Sequence, residues 1–193
     1  MRVVVVTPPA TPVISLEAAK KHLRVDGNDD DTLIAGYVAA VANHLSSVDQ
    51  EVRGALGRSL GKRELEARFS APRGRIMLPF PPVIELISVK YLDRDNVEQV
   101  ADLEDFELLG AELVAAGPLF PWENGNMRRE AIRVRYRAGY DEIPAEISTA
   151  MLLMVGDLYA NRESTIAGSS AAAIEIPMST NVKALLDPVR VYR

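Results

Sequence analysis

The stretch from Pro144 to Arg162, PAEISTAMLLMVGDLYANR, constrains the fold most, because it reads as a helix with almost no polar face. Pro144 suits the first helical position, where a missing N–H costs nothing, and Glu146 stands near the positive end of the helix dipole. Ile147, Met151, Met154 and Leu158 fall on one side, while Leu152, Leu153, Val155 and Tyr159 cover most of the rest. A helix that is apolar nearly all round has to be surrounded by other elements. Gly156 and Asp157 interrupt this one, and it is too short to span a membrane. Its burial therefore falls to the rest of the chain.

The natural partner is a second periodic segment, in which Ile34, Val38, Val41, Leu45, Val48 and Val52 alternate at spacings of four and three. That seam predicts a long helix over about 30–56, with Tyr37 and Leu56 extending it and Gly54 and Gly57 at its fraying end. Upstream, Ser15 is a good N-cap for a short helix with one thin apolar face, Leu16, Ala19, Lys20 and Leu23. The acids of Asp26–Asp31 form a turn and then sit at the start of the long helix, favourably for its dipole. Val3–Val6 reads as a short strand feeding an extended arm that Pro8, Pro9 and Pro12 keep out of any helix. Arms of that kind often lie on a neighbour.

Between Leu60 and Tyr140 the apolar period changes to two. Leu65, Ala67 and Phe69 alternate with charged residues, Val83–Leu92 suits a central strand, and Val97–Val100, Phe106–Leu109 and Glu112–Ala115 are short strand candidates. Trp122, the only tryptophan, sits in a loop over 117–126. The last strand is the clearest, with Ile132, Val134 and Tyr136 on one face and Arg133, Arg135 and Arg137 on the other. The expected class is α+β: a helical bundle core from the long helix, the buried helix over about 144–162 and short N- and C-terminal helices. An antiparallel β region over about 62–138 is inserted between them, so that 1–193 forms a single domain. Beyond Arg162 come a small-residue loop expected to be mobile, then a short helix capped by Ser179 or Thr180 and stopped by Pro188, then a tail.

Composition excludes more than it selects. With no cysteine and only His22 and His44, thiol nucleophiles, disulfides and thiolate or imidazole-rich metal sites are ruled out or disfavoured. No serine-centred elbow or phosphate-cradling glycine loop is present, and the run from Asp26 lacks both the turn glycine and the closing acid of a calcium loop. No catalytic residue, metal or cofactor is expected. A metal-dependent hydrolase built on those acids is a weak rival for want of histidines. The beginning, MRVVVVTPPATPV, lacks the long apolar stretch of a signal peptide, which makes cytoplasmic synthesis the default. A formal charge of −5 argues against a protein whose main work is gripping nucleic acid phosphate.

Two surfaces remain as candidates. Arg128, Arg129, Arg133, Arg135 and Arg137 are the only basic concentration and could meet DNA or an acidic partner. The simpler alternative is a solvated strand face paired with glutamates such as Glu64, Glu66 and Glu85. The tail LLDPVRVYR keeps Val189, Val191 and Tyr192 where termini are usually polar, so it is either tied down on its own domain or docked on another protein.

Four stretches taken in order, ISLEAAKKHLRVDGNDDDTLIAGYVAAV, LPFPPVIELISVKYLDRDN, IRVRYRAGYDEIPAEISTAMLLMVGDLYANRES and VKALLDPVRVYR, resemble the head-tail connector, or adaptor, family of long-tailed phages, prophages and gene transfer agents. The resemblance implies a non-enzymatic subunit of a ring, commonly a dodecamer, that sits beneath the portal protein at the head-tail interface of a virion or phage-like particle. Such a ring extends the DNA channel toward a downstream stopper or tail-completion protein, with duplex DNA passing transiently and no membrane involved. It also implies a C-terminal docking tail within 163–193, with Leu185, Leu186, Pro188, Val189, Val191 and Tyr192 as the portal contact. The family often has an aromatic where this chain has Val189. A channel that lets DNA slide should be acidic, which makes Asp29, Asp30 and Asp31 candidates for its lining. Closure of a ring needs two complementary patches, for which the N-terminal arm and the Arg133, Arg135 and Arg137 face are candidates. The competing readings are a DNA-binding module or a generic protein-interaction module using that arginine face.

Overall fold

The computed structural model describes residues 1–48, 54–70, 75–122, 128–162 and 179–191. Eight strands and four α-helices are present among them: β1 (Arg2–Thr7), α1 (Leu16–Leu23), α2 (Asp31–Ser46), β2 (Arg63–Phe69), β3 (Ile76–Met77), β4 (Val83–Leu92), β5 (Glu98–Ala101), β6 (Phe106–Leu109), β7 (Glu112–Ala115), β8 (Ile132–Ala138), α3 (Ala145–Ala160) and α4 (Thr180–Leu186). The protein is mixed α+β, with one five-stranded sheet in the order β1-β2-β8-β4-β5 and one three-stranded sheet in the order β3-β7-β6. All of the strand pairs in both sheets are antiparallel.

The helices share one apolar cluster. Ile34, Val38, Val41 and Leu45 of α2 face Ile147, Met151, Met154 and Val155 of α3, and α4 adds Val182 and Leu186. The caps follow the sequence: Ser15 Oγ accepts from Ala18 N–H at 3.1 Å, and Ser179 Oγ accepts from Val182 N–H at 3.3 Å. Pro144 stands one place earlier than its chemistry suggested, as the extended N-cap of α3.

The long helix is shorter than its periodicity predicts. It ends at Ser46, with Ser47 extended, and the chain returns so that Ala55 and Leu56 N–H donate to the carbonyls of His44 and Leu45. These are orphan carbonyls at the helix end, satisfied here by a non-helical segment. Val48 and Leu56 therefore leave the seam: Val48 is buried in the sheet core, and Leu56 in the helical one. The predicted positions of Val52 and of the small-residue loop after Arg162 lie outside the described residues.

The strands enclose a second cluster. Leu65, Ala67, Val89, Ile132, Val134 and Tyr136 point from the large sheet toward Ile76, Leu113 and the aromatics Phe80, Phe106, Phe120 and Trp122. Phe120 and Trp122 stack at 4.7 Å between centroids, and Phe106 stacks on Trp122 at 5.6 Å. The loop tryptophan is thus a core residue, only 4% exposed. The central strand is β8, while β4 lies one place off centre. β1, read as a short strand feeding an arm, is the outer strand of this sheet against β2, so residues from before the helices complete the β region.

The two halves meet where β2 starts and β8 ends. Ser46 Oγ accepts from Leu60 N–H and from Arg63, while Ser59 Oγ donates to the Gly61 and Ala138 carbonyls. Gly139 has φ +129, and a Cβ there would stand 2.5 Å from the Gly61 carbonyl oxygen, so only glycine allows these two chain passages to cross.

Candidate functional site

The C-terminal tail is closed on its own domain. After α4, Asp187–Val189 makes a single 3-10 turn with Pro188 exposed, and the Val191 N–H donates to the Leu56 carbonyl at 2.9 Å. The guanidinium of Arg58 donates to the Val189 carbonyl and reaches the Tyr140 hydroxyl at 3.3 Å. Gly57, at φ +64, makes room for this closure, because a Cβ there would meet the Val191 carbonyl oxygen at 2.9 Å. Among the tail residues singled out from sequence, Leu186 is fully buried in the helical core, Leu185, Val189 and Val191 are half-buried, and Tyr192 lies outside the described residues. Leu56, Arg58 and Tyr140, which receive the tail, carry no local signal of that role.

The acidic turn is largely neutralised within the molecule. Asp30 accepts from the Tyr159 hydroxyl at 2.5 Å and from Arg162 at 2.7 Å, both at the far end of α3. The tyrosine hydrogen bond, and next the arginine one, hold the Asp30 carboxyl below its ordinary range. Asp31 pairs with Lys20 of α1 at 2.6 Å, and Asp29 is exposed. Two of the three candidate channel acids thus tie α1 and α3 to the start of α2. Arg162 also stacks over the Tyr159 ring at 3.9 Å, which keeps both side chains aligned with Asp30.

The arginine face is a charge ladder. The register puts Glu64, Glu66 and Arg68 of β2 opposite Arg137, Arg135 and Arg133 of β8, and β4 brings Glu85 to Arg137. Arg137 pairs with Glu64 at 3.3 Å and with Glu85, and Arg133 pairs with Glu98 of β5 at 3.2 Å. Glu66 pairs with Arg68 instead, which also reaches Glu130. Among the described residues no free basic strip of the kind a DNA-binding module would need is formed, because antiparallel register interleaves glutamates with the arginines. Glu98 was missed in the sequence, since no periodic signal ties β5 to β8 across two strand positions.

Residues 13–105, which run from the arm through α1, α2 and β2 to just past β5, match the family model of the phage gp6-like head-tail connector proteins. This segment belongs to that family. It is a family of structural connectors, not of enzymes. No curated protein sequence matches the chain. Among solved structures, a chain in the neck of an empty GTA particle computed with C6 symmetry aligns over 100% of this chain and 97% of its own length, with a TM-score of 0.73 at 18% identity. A chain in the virion of a native gene transfer agent particle aligns with a TM-score of 0.69 at 20% identity, over 100% and 97% of the two chains. One in the neck of a native GTA particle computed with C12 symmetry gives 0.66 at 18%, with the same coverage. At such identities the likeness establishes the fold, over the whole length of this chain.

Proposed function

We propose that this protein is a head-tail connector subunit of a phage or phage-like particle, forming a ring beneath the portal that extends the DNA channel and joins head to tail. The observation that carries the reading is the coincidence of two independent matches: the connector family over 13–105, and full-length fold similarity to chains in gene transfer agent necks. Cyclic symmetry in two of those necks supports a ring, with twelve copies the number favoured by the C12 case. In this reading the helical core and the β region act together as one connector domain.

The partners are further copies of the chain, the portal protein on one side and a stopper or tail-completion protein on the other. The tail is the proposed portal contact, with Pro188 exposed and Leu185, Val189 and Val191 half-buried in the free subunit. In this reading the bond from Arg58 to Val189 holds the tail until docking. With Asp30 and Asp31 already paired, Asp29 is the one of those three candidates left to face passing DNA. The arginine ladder is offered as a subunit contact through its exposed charges.

The test is to mix the purified chain with portal rings and measure the mass of the complex. Full-length protein and Arg58→Ala should both give a stoichiometric ring on the portal, and a chain truncated after Asp187 should not. Folding of the truncated chain is checked by its melting transition. No association of the folded full-length protein would overturn the reading, and a ring unaffected by truncation would remove the tail from it.

A further inference from the structure

The large sheet ends in two open edges. Among the described residues β1 pairs only with β2, and β5 pairs only with β4, so neither outer side has a strand partner there. Both edges are short, yet each keeps exposed valine. β1 carries four consecutive valines after Arg2, and β5 carries Val100, which is 68% exposed. Natural proteins blunt, cover or pair such edges, because an open valine strand templates association. Here a register shift between Val5 and Thr7 limits the regular part of β1 to Arg2–Val5, four residues, and β5, Glu98–Ala101, is also four residues long.

We propose that the outer edge of β1 in one copy pairs with the outer edge of β5 in the next, joining the five-stranded sheets of neighbouring subunits into one continuous belt. This rests on the ring reading above and names the contact that closes it. β1 and β5 are the first and fifth strands of an all-antiparallel sheet, so they run in the same direction. Neighbours in a cyclic ring differ by one rotation, about 30° for twelve subunits, which turns no strand by more than that angle. The new pair is therefore parallel, and the turn is close to the roughly 20–25° that adjacent strands adopt anyway.

Side chains select the register. Arg2 and Val4 stand opposite Arg68 and Glu66, and Val100 and Glu98 stand opposite Lys90 and Leu92, so all four project on the charged face of the sheet. Aligning the two strands with their N-terminal ends together puts Arg2 beside Glu98 and Val4 beside Val100. Val3 and Val5 then continue the core face beside Gln99 and Ala101. Arg2, only 3.9 Å from Glu130 in its own subunit, joins the Lys90 and Arg133 pairs already on Glu98, and the exposed Val100 gains an apolar neighbour. Slipping by one residue would put both sets on the wrong faces. Five strands per copy at a spacing of about 4.8 Å give a belt of about 290 Å for twelve copies, a ring roughly 90 Å across.

The chain has no cysteine, so introduced thiols report this contact without background. The double variant Val4→Cys with Val100→Cys is assembled on portal rings, its mass is measured, and it is mildly oxidised. A ladder of disulfide-linked oligomers is expected, with none from Val4→Cys or Val100→Cys alone and only linked dimers from a mixture of the two. Val4→Lys with Val100→Lys should lose the ring while the monomer melts as before. A ring of full mass with no cross-link, or one untouched by the lysine pair, overturns the edge pairing and leaves the connector reading standing. Linked dimers from Val4→Cys alone would replace it with a symmetric β1–β1 contact. Failure of the unmodified chain to form any ring on the portal would strike the connector reading itself, and the edge pairing with it.

Discussion

The helical and sheet halves of this chain bury similar kinds of side chain but assemble them differently. In the helical half, α2 and α3 supply long aliphatic seams and the ends of the chain are fastened to them: Ile14 from the arm, Val182 and Leu186 from α4, and the Val191 N–H on Leu56. In the sheet half, a period-two face closes on a stack of aromatics, Phe106, Phe120 and Trp122, delivered largely by loops and short strands. The contrast teaches that the helical half is a frame closed by long-range ties, while the sheet half hinges on one aromatic plug and leaves both sheet edges open.

The sharpest way to break the comparison is at the plug. Trp122→Ala should cost about 4 kcal/mol, since a large buried aromatic is lost from a stack that cannot collapse. Hydrogen exchange should then rise in β4 to β7 before it rises in α2 and α3. Met151→Ala, fully buried between the helices, should cost about 3 kcal/mol and raise exchange in α2, α3 and α4 together, including the tail. If both variants loosen both halves equally, the two clusters act as one core.

A smaller effect is expected at Tyr136, whose buried hydroxyl donates to the Pro79 carbonyl at 2.6 Å. Tyr136→Phe leaves that carbonyl without its donor and should lower stability by about 1–2 kcal/mol, seen as a shifted denaturation midpoint at constant slope. Arg58→Ala should cost about 1 kcal/mol, since the site is only partly buried, and should increase exchange at the Val191 amide with little change elsewhere.

The smallest effect concerns acid. The Tyr159 and Arg162 bonds hold the Asp30 carboxyl below its ordinary value. A carboxylate lowered on folding stabilises above its unfolded pKa, and that stabilisation is lost as the pH falls through the lowered folded value. Asp30→Asn should therefore be less stable than the parent near neutrality and converge with it in acid. Melting curves across that range would show a constant gap instead if Asp30 acted only through packing.

Much of this could be read from the sequence, for a common physical reason. Apolar periodicity and capping chemistry are local, so α3, α1, α4, most of the strands and the caps Ser15 and Ser179 followed from spacing and residue type, as did the expectation that glutamates stand among the arginines of β8, though not which glutamate meets which arginine. The resemblance to head-tail connectors was likewise carried by ordered local stretches. What only the tertiary structure decided were interactions between residues far apart in the chain. The end of α2 at Ser46 depends on Leu56 folding back over it, which a period that runs on through Val52 cannot reveal. The pairing of β1 with β2, the burial of Trp122, the neutralisation of Asp30 by Arg162 and the closing of the tail on Leu56 and Arg58 are of the same kind. Each depends on which of several chemically similar partners the fold brings within contact distance.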